Sequence, residues 1–306
     1  MPAAPAEFCR IAIGDIEVTF VSDGFLTSTP TRSYPGSEDA FWAGYPSHLN
    51  SDGLLVMSLG SLLVHTAGKR VLIDLGWGPN SGVTGEATPG RPQGQMVGGS
   101  LVANLQRLGV RPEEIDAVLF SHLHRDHTGW LIDPASMSDA DTSSVAPTFP
   151  NATHYLSQPE WDYWCEQTRL GMPFSPSPEQ LVILESRLSF VSDGETILPG
   201  IDTIESFGHT PGHLCFAISS GRDRALVLGD AVHCAIEMIE PELVFAADID
   251  PDLARRTRAH IAQTLMDSDS IAAAPHFADF VFGRLLRGEG KAQWHFPDTQ
   301  VLSVAQ

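Results

Sequence analysis

Apolar and polar positions along the chain repeat with two different periods. Residues 16–24, IEVTFVSDG, alternate and predict a strand that ends in an Asp-Gly turn. Residues 53–78 predict two or three strands, with Ala67-Gly68-Lys69 as a hairpin connection and Gly76 and Gly78 closing the run. Leu101, Leu105 and Leu108 recur at helical spacing over 100–110, and Gly109 ends that helix. Pro112, followed by Glu113 and Glu114, predicts a short second helical turn. The run IDAVLF (115–120) predicts a buried strand. THYLS (153–157) follows as a strand and QPEWDYWCEQ (158–167) as a helix, then strands over 188–193, 202–207, 214–219 and 225–230. Asp250 is expected to cap a helix across 252–267, with Pro251 at its first position, and SIAAAPHF (270–277) is expected as the last short strand.

Two stretches lack periodicity. Residues 76–99 hold eight glycines and three prolines, and 133–151 are rich in Ser, Asp and Pro; both predict long functional loops. Strands and helices mix without a clean linker. This predicts one α/β domain over residues 1–306, with an N-terminal extension of about 40 residues. VSDG occurs at 21–24 and again at 191–194, as a duplicated half would produce.

Composition narrows the partners. The 306 residues are 42% hydrophobic and 18% charged, enough for a globular core, and carry a formal net charge of −20. That charge repels phosphates and anionic lipid, so neither nucleic acid nor membrane is an expected partner, and a small-molecule substrate is. No apolar run reaches transmembrane length, and MPAAPAEFCR lacks the pattern of a secretion signal. Cys9, Cys165, Cys215 and Cys234 are scattered and read as reduced thiols of a cytoplasmic protein.

The chemistry concentrates in SHLHRDHTGW (121–130), directly after the 115–120 strand. Alternate side chains of an extended segment point the same way, so His122 and His124 can bite one metal ion together. Asp126 and His127, where the chain turns towards a helix, can face a second. Two ions need more ligands, and three further strand ends supply them: His209 after TIESFG, Asp230 after ALVLG, and His276 after SIAAAP. Strand ends converge on one edge of an α/β sheet, where sites are built. The chain has neither a Gly-x-Ser-x-Gly elbow nor a Cys-x-x-Cys pair, so no side-chain nucleophile competes with this reading.

The string His122-x-His124-x-Asp126-His127, followed by GHTPGH, LGDAVH and APH, resembles the metallo-β-lactamase superfamily of binuclear hydrolases. The resemblance runs from LLVHTAGKRVLIDLG to APHF. It implies a four-layer αββα sandwich of two similar halves, which the repeated VSDG suits. It assigns His122, His124 and His209 to the first metal, and Asp126, His127 and His276 to the second. Asp230 would bridge them with a water or hydroxide. Asp74, in VLIDLG, would orient a ligand imidazole, and His213 would either orient a ligand or pack in its turn. Asp126 could instead relay protons. The implied cofactors are two divalent ions, zinc in first place, with manganese, iron or cobalt as alternatives. Their hydroxide, formed because the metals lower the water pKa towards roughly 7, attacks the substrate while one metal polarises its oxygen.

Within the superfamily, Asp230 argues against penicillin hydrolysis, and His124 stands where di-iron reductases carry glutamate. The ligand set, the N-terminal VSDG and GHTPGH resemble the N-acyl-homoserine lactonases and methyl parathion hydrolases. Lactonases commonly carry a tyrosine three residues after the bridging aspartate; His233 stands there, as a catalytic hydrogen-bond donor to substrate or a packing residue, and GDAVH is similar to the methyl parathion hydrolase pattern. Trp77 either lines the cleft or belongs to the core. The expected activity is metal-dependent hydrolysis of a small neutral ester, lactone or phosphotriester. The alternatives are a glyoxalase II-like thioesterase and a mononuclear iron, sulfur dioxygenase-like enzyme. The family's habits also allow a homodimer in which FLTSTPTRSYPGSEDAFW covers the partner's cleft.

Overall fold

In a computed structural model, described for residues 2–86, 90–137, 145–296 and the backbone of 300–301, the strands form two sheets. The first holds β1 (Cys9–Ile13), β2 (Ile16–Ser28), β3 (Leu55–Thr66), β4 (Lys69–Ile73), β5 (Ser81–Thr84), β6 (Gly94–Val97), β7 (Ala117–Leu119), β8 (Thr153–Ser157) and β9 (Leu188–Val191). The second holds β10 (Thr196–Leu198), β11 (Ile201–Glu205), β12 (Leu214–Ser220), β13 (Asp223–Val227), β14 (Ile271–Ala273), β15 (Phe282–Leu286) and β16 (Gln293–His295). A final β17 (Gln300–Val301) returns to pair with β1. Short helices α1 (Pro30–Ser33) and α2 (Asp39–Trp42) follow β2. Then come α3 (Leu101–Arg107), α4 (Arg125–Thr128), α5 (Gln158–Arg169), α6 (Pro178–Glu185) and α7 (Pro251–Ser268).

The period-2 alternation of a strand sorts the core into layers. Val71 and Ile73 of β4 face the second sheet and pack with Val227 of β13 and Ala273 of β14. Leu72 between them faces outwards, into a cluster with Leu101 and Leu105 of α3, Trp164 of α5 and Leu184 of α6. Leu226 of β13 and Ala272 of β14 likewise face out, against Ile261 and Leu265 of α7. The order helix, sheet, sheet, helix is the four-layer αββα sandwich expected from the motifs.

Most predicted elements recur. The β3–β4 hairpin turns at Ala67 and Gly68, both at positive φ. Asp250 caps α7 by accepting from the Leu253 amide at 2.9 Å, and Ser157 caps α5.

The differences have local causes. The Asp-Gly turn is absent: β2 runs on to Ser28, with a register shift between Ser22 and Gly24. Asp23 points inwards there, fully buried, and accepts from the Trp77 and Gly78 amides, the Gly99 and Leu101 amides and the Trp130 indole at 2.8–3.0 Å. The second VSDG follows β9 in the same sheet, with Asp193 exposed, so the two strings are not equivalents in two halves. The 76–99 stretch is not a loop throughout: β5 and β6 pair with each other and with β2. Residues 87–89 of it, and 138–144 of the second predicted loop, lie outside the described residues. The last strand is not 270–277, since β15, β16 and β17 follow. The N-terminal stretch expected as an extension contains β1 and β2, and β2 pairs along its length with β3.

One core residue gives the fold a pH dependence. His154 on β8 is buried, edge-on to Phe120 at 5.6 Å. Burial, helped by the Arg187 charge, pushes its imidazole down to about 4. The unfolded chain takes up this proton below about 6.5 while the folded one refuses it, so stability falls between those values. Between pH 7 and 4.5, wild type is expected to lose about 2 kcal/mol more than His154→Phe in urea denaturation. Equal losses would contradict this origin.

Candidate metal centre

The expected strand ends do meet. His122 follows β7, His209 follows β11, Asp230 follows β13 and His276 follows β14, and all are nearly or fully buried. Backbone bonds stitch the two sheets together here: the Leu214 amide donates to the Ser121 carbonyl at 2.9 Å, and the Ser58 amide to that of His276 at 3.0 Å. The expected ligands fall into two groups, His122, His124, His209 and Asp230 in one and Asp126, His127 and His276 in the other, and a third set, His209, His233 and Asp248, overlaps the first.

Each carboxylate oxygen of Asp230 faces a different group. Oδ2 lies 3.6 Å from His122 Nε2 and 3.4 Å from His209 Nε2; Oδ1 lies 3.2 Å from His127 Nε2 and 3.0 Å from His276 Nε2. The Asp126 carboxylate is 3.9 Å from His127 Nε2 and 3.7 Å from His276 Nε2. It keeps 22% of its side-chain surface open, against 5% for Asp230.

The outward nitrogens decide the chemistry of the inward ones. His127 Nδ1 meets Asp74 Oδ2 at 2.9 Å, His209 Nδ1 meets Asp248 Oδ1 at 3.0 Å and His276 Nδ1 meets the Ser58 carbonyl at 2.8 Å. Ser121 Oγ donates to Asp74 at 2.7 Å and therefore accepts from His122 Nδ1 at 3.0 Å. All four imidazoles thus carry a proton on Nδ1 and, when neutral, turn an Nε2 lone pair inwards. Those lone pairs crowd: His122 Nε2 and His209 Nε2 lie 2.9 and 3.0 Å from His124 Nδ1, and His127 Nε2 lies 3.2 Å from His276 Nε2. Beside a buried carboxylate such a cluster is repulsive unless positive charge enters it. Titration points the same way. Burial lowers His127, but Asp230 and Asp74 outweigh it and hold the ring well above the ordinary imidazole value. His122 and His209, where burial prevails, lie well below it. Nitrogen and carboxylate donors aimed inwards, with four of the rings braced from behind, fit a divalent metal site.

Asp74 and His213 act as braces. Asp74 sits at φ 61°, in the left-handed region that aspartate tolerates, and takes the Ser121 amide at 2.8 Å besides its two side-chain partners. His213 Nε2 accepts from the Asp230 amide at 2.9 Å, and its Nδ1 meets Ser206 Oγ at 2.7 Å. Gly229, at φ 51°, makes that approach possible, since a Cβ there would lie 2.6 Å from His213 Nε2.

His233 belongs to the cluster. Its ring stacks on Phe245 at 3.5 Å, with Nε2 3.4 Å from Asp230 Oδ2 and Nδ1 3.6 Å from Glu237 Oε1. Burial lowers this imidazole, but Asp230 and Glu237 prevail and lift it to about 10. Glu237 in turn pairs with buried Arg258 at 3.2 Å. Trp77 lies outside both groups, its indole 5.4 Å under the Arg125 guanidinium on α4.

Sequence reasoning missed Asp248, Ser58, Ser121 and Glu237. Only Ser121, beside the first histidine, left a local signal. Replacing Asp74 by alanine would strand three buried donors, on Ser121 and His127, and is expected to cost at least about 3 kcal/mol in urea denaturation with chelator present. A loss below about 1 kcal/mol would show that the brace is dispensable.

A sequence profile of the metallo-β-lactamase superfamily matches residues 60–276. An N-acyl homoserine lactonase of Bacillus sp is 22% identical over 241 residues, covering 75% of this chain and 85% of that protein. Among solved structures, the dizinc quorum-quenching lactonase AidC aligns with a TM-score of 0.76 at 24% identity, over 94% of this chain and 97% of that one. The hydrolase AbOPH, of the beta lactamase superfamily, aligns with a TM-score of 0.72 at 25% identity, over 96% and 99%. The resemblance read from the motifs and the fold it implied are both borne out. With most of its length matched by the profile, the chain belongs to the metallo-β-lactamase superfamily.

Proposed function

We propose that the protein is a hydrolase holding two divalent cations, zinc first among them, and that it opens a lactone or a related small neutral ester. One observation carries this reading: the two oxygens of Asp230 face two separate groups of inward lone pairs. His122, His124 and His209 would hold one ion, Asp126, His127 and His276 the other, and Asp230 both. When bound, such ions supply Lewis acidity and make water reactive at neutral pH.

The chain's own side chains do the rest. Asp126, the half-open carboxylate of the centre, can pass a proton between the buried cluster and solvent. His233, held between Asp230 and Glu237 and stacked on Phe245, can donate from Nε2 to a substrate oxygen. Phe174 stands 6.4 Å from the His124 ring while remaining exposed, and Met172 beside it is exposed too, so one flank of the centre offers apolar surface to an acyl chain. Trp77, beneath Arg125, would line the cleft through that pair. The net charge of −20 disfavours anionic substrates. The lactonase relatives, including AidC, support the lactone in first place.

Metal analysis of purified protein, with a panel of an acyl-homoserine lactone, an aryl ester, a phosphotriester and an acyl thioester, tests this. Two ions per chain are expected, with lactone turnover that chelation abolishes and added zinc restores. Hydrolysis of the thioester alone, or a single iron per chain, would overturn it.

A further inference from the structure

Glu160, the third residue of α5, has no part in the mechanism above, yet it is completely buried and has no ion-pair partner among the described residues. Four donors fill its carboxylate instead. Oε1 accepts from the Leu123 amide at 3.0 Å and the Trp164 indole at 2.6 Å. Oε2 accepts from the Thr210 hydroxyl at 2.6 Å and the Gly212 amide at 3.0 Å. A buried carboxylate is costly unless its lone pairs are satisfied, and here both oxygens are.

The donors are not a random set. Leu123 lies between His122 and His124. Thr210 follows His209. The Trp164 ring stands edge-on to the His124 ring at 5.1 Å. Ser157, which caps α5, donates to the Gly212 carbonyl at 2.6 Å, and a Cβ on Gly212 would lie 2.1 Å from the Glu160 amide nitrogen, so α5 grips the 208–213 turn closely. Glu160 thus ties together the two segments that carry His122, His124 and His209. None of its four hydrogen bonds reaches a neighbour of Asp126, His127 or His276. Of those three, His127 is braced by Asp74 and His276 by the Ser58 carbonyl.

We infer that Glu160 is a positioning residue for one cation only, setting the spacing of the His122–His124 segment against His209 without reaching the ligands of the second. This rests on the two-cation reading above. Asp74 reaches both sets, His127 directly and His122 through Ser121, so Glu160 is the support that acts on one ion alone and lets the two affinities differ.

The test compares wild type, Glu160→Gln and the milder Thr210→Val, each loaded with zinc and dialysed against graded chelator, with metal per chain and the circular dichroism spectrum as readouts. Glu160→Gln turns an amide N–H₂ towards one pair of donors. It is expected to release one ion at chelator levels about 10–100-fold lower than wild type, and the other at the wild-type level. Thr210→Val is expected to shift the same ion by less. Folded variants that release both ions at wild-type levels, or both early and together, would overturn the inference. Should Glu160→Gln fail to fold, Thr210→Val decides on the same terms. A wild type holding a single ion would overturn the two-cation reading instead. Glu160 would then be judged on that ion: earlier release from the variant supports its positioning role, and unchanged release refutes it.

Discussion

The architecture answers to one electrostatic constraint: imidazole lone pairs and a carboxylate are buried within about 3 Å of one another, and only positive charge makes that tolerable. Much else follows from keeping those lone pairs aimed inwards. Each of four rings needs an acceptor behind it, so Asp74, Asp248, Ser121 and the Ser58 carbonyl are drawn from separate parts of the chain. The Asp230 backbone must be fixed too, which His213 does, and Gly229 gives His213 the room. Even the sheet-to-sheet backbone bonds at Ser121 and Ser58 lie beside histidines of the cluster. The cluster is therefore a joint of the sandwich as well as the proposed centre.

This explains what could be read from the chain and what could not. Ligands at strand ends follow apolar runs, and both features are local, so His122, His209, Asp230 and His276 stood out in sequence. Their braces are not local. Asp248 lies 39 residues from His209, and Ser58 lies 218 from His276. No spacing rule links such pairs, and only the folded sheets bring them together. Asp74 was legible because it ends a strand in a familiar string.

Asp23 was misread for a related reason. Asp followed by Gly usually marks a turn, and nothing in the pattern reveals a carboxylate buried under five donors. α6 was missed although Ser177 and Gln180 form a capping box in plain view, with Pro178 at the first helical position; its four consecutive apolar residues, Leu181 to Leu184, hide the helical period. The strands after His276 are short and run into glycine-rich sequence, which weakens the alternation that would have announced them.

The braces also bear on how the centre is shared between stability and specificity. The inward donors sit at strand ends, and buried residues fix them from behind, so on the proposed reading a change at one of them costs folding energy as well as metal. The groups that would meet a substrate sit differently: Phe174 on an exposed bend, Arg125 on a solvent-facing turn, His233 on a segment between short helical turns. Phe174 and Arg125 can vary with little penalty to the sandwich. His233 is the exception, because its ring is buried and tied through Glu237 to Arg258 on α7. A tyrosine there would bring a hydroxyl in place of an imidazole and leave the Glu237–Arg258 pair without its third member. His233, Glu237 and Arg258 are therefore one unit, and a substrate contact made by His233, as proposed, would be anchored in the outer helix layer rather than in the cleft.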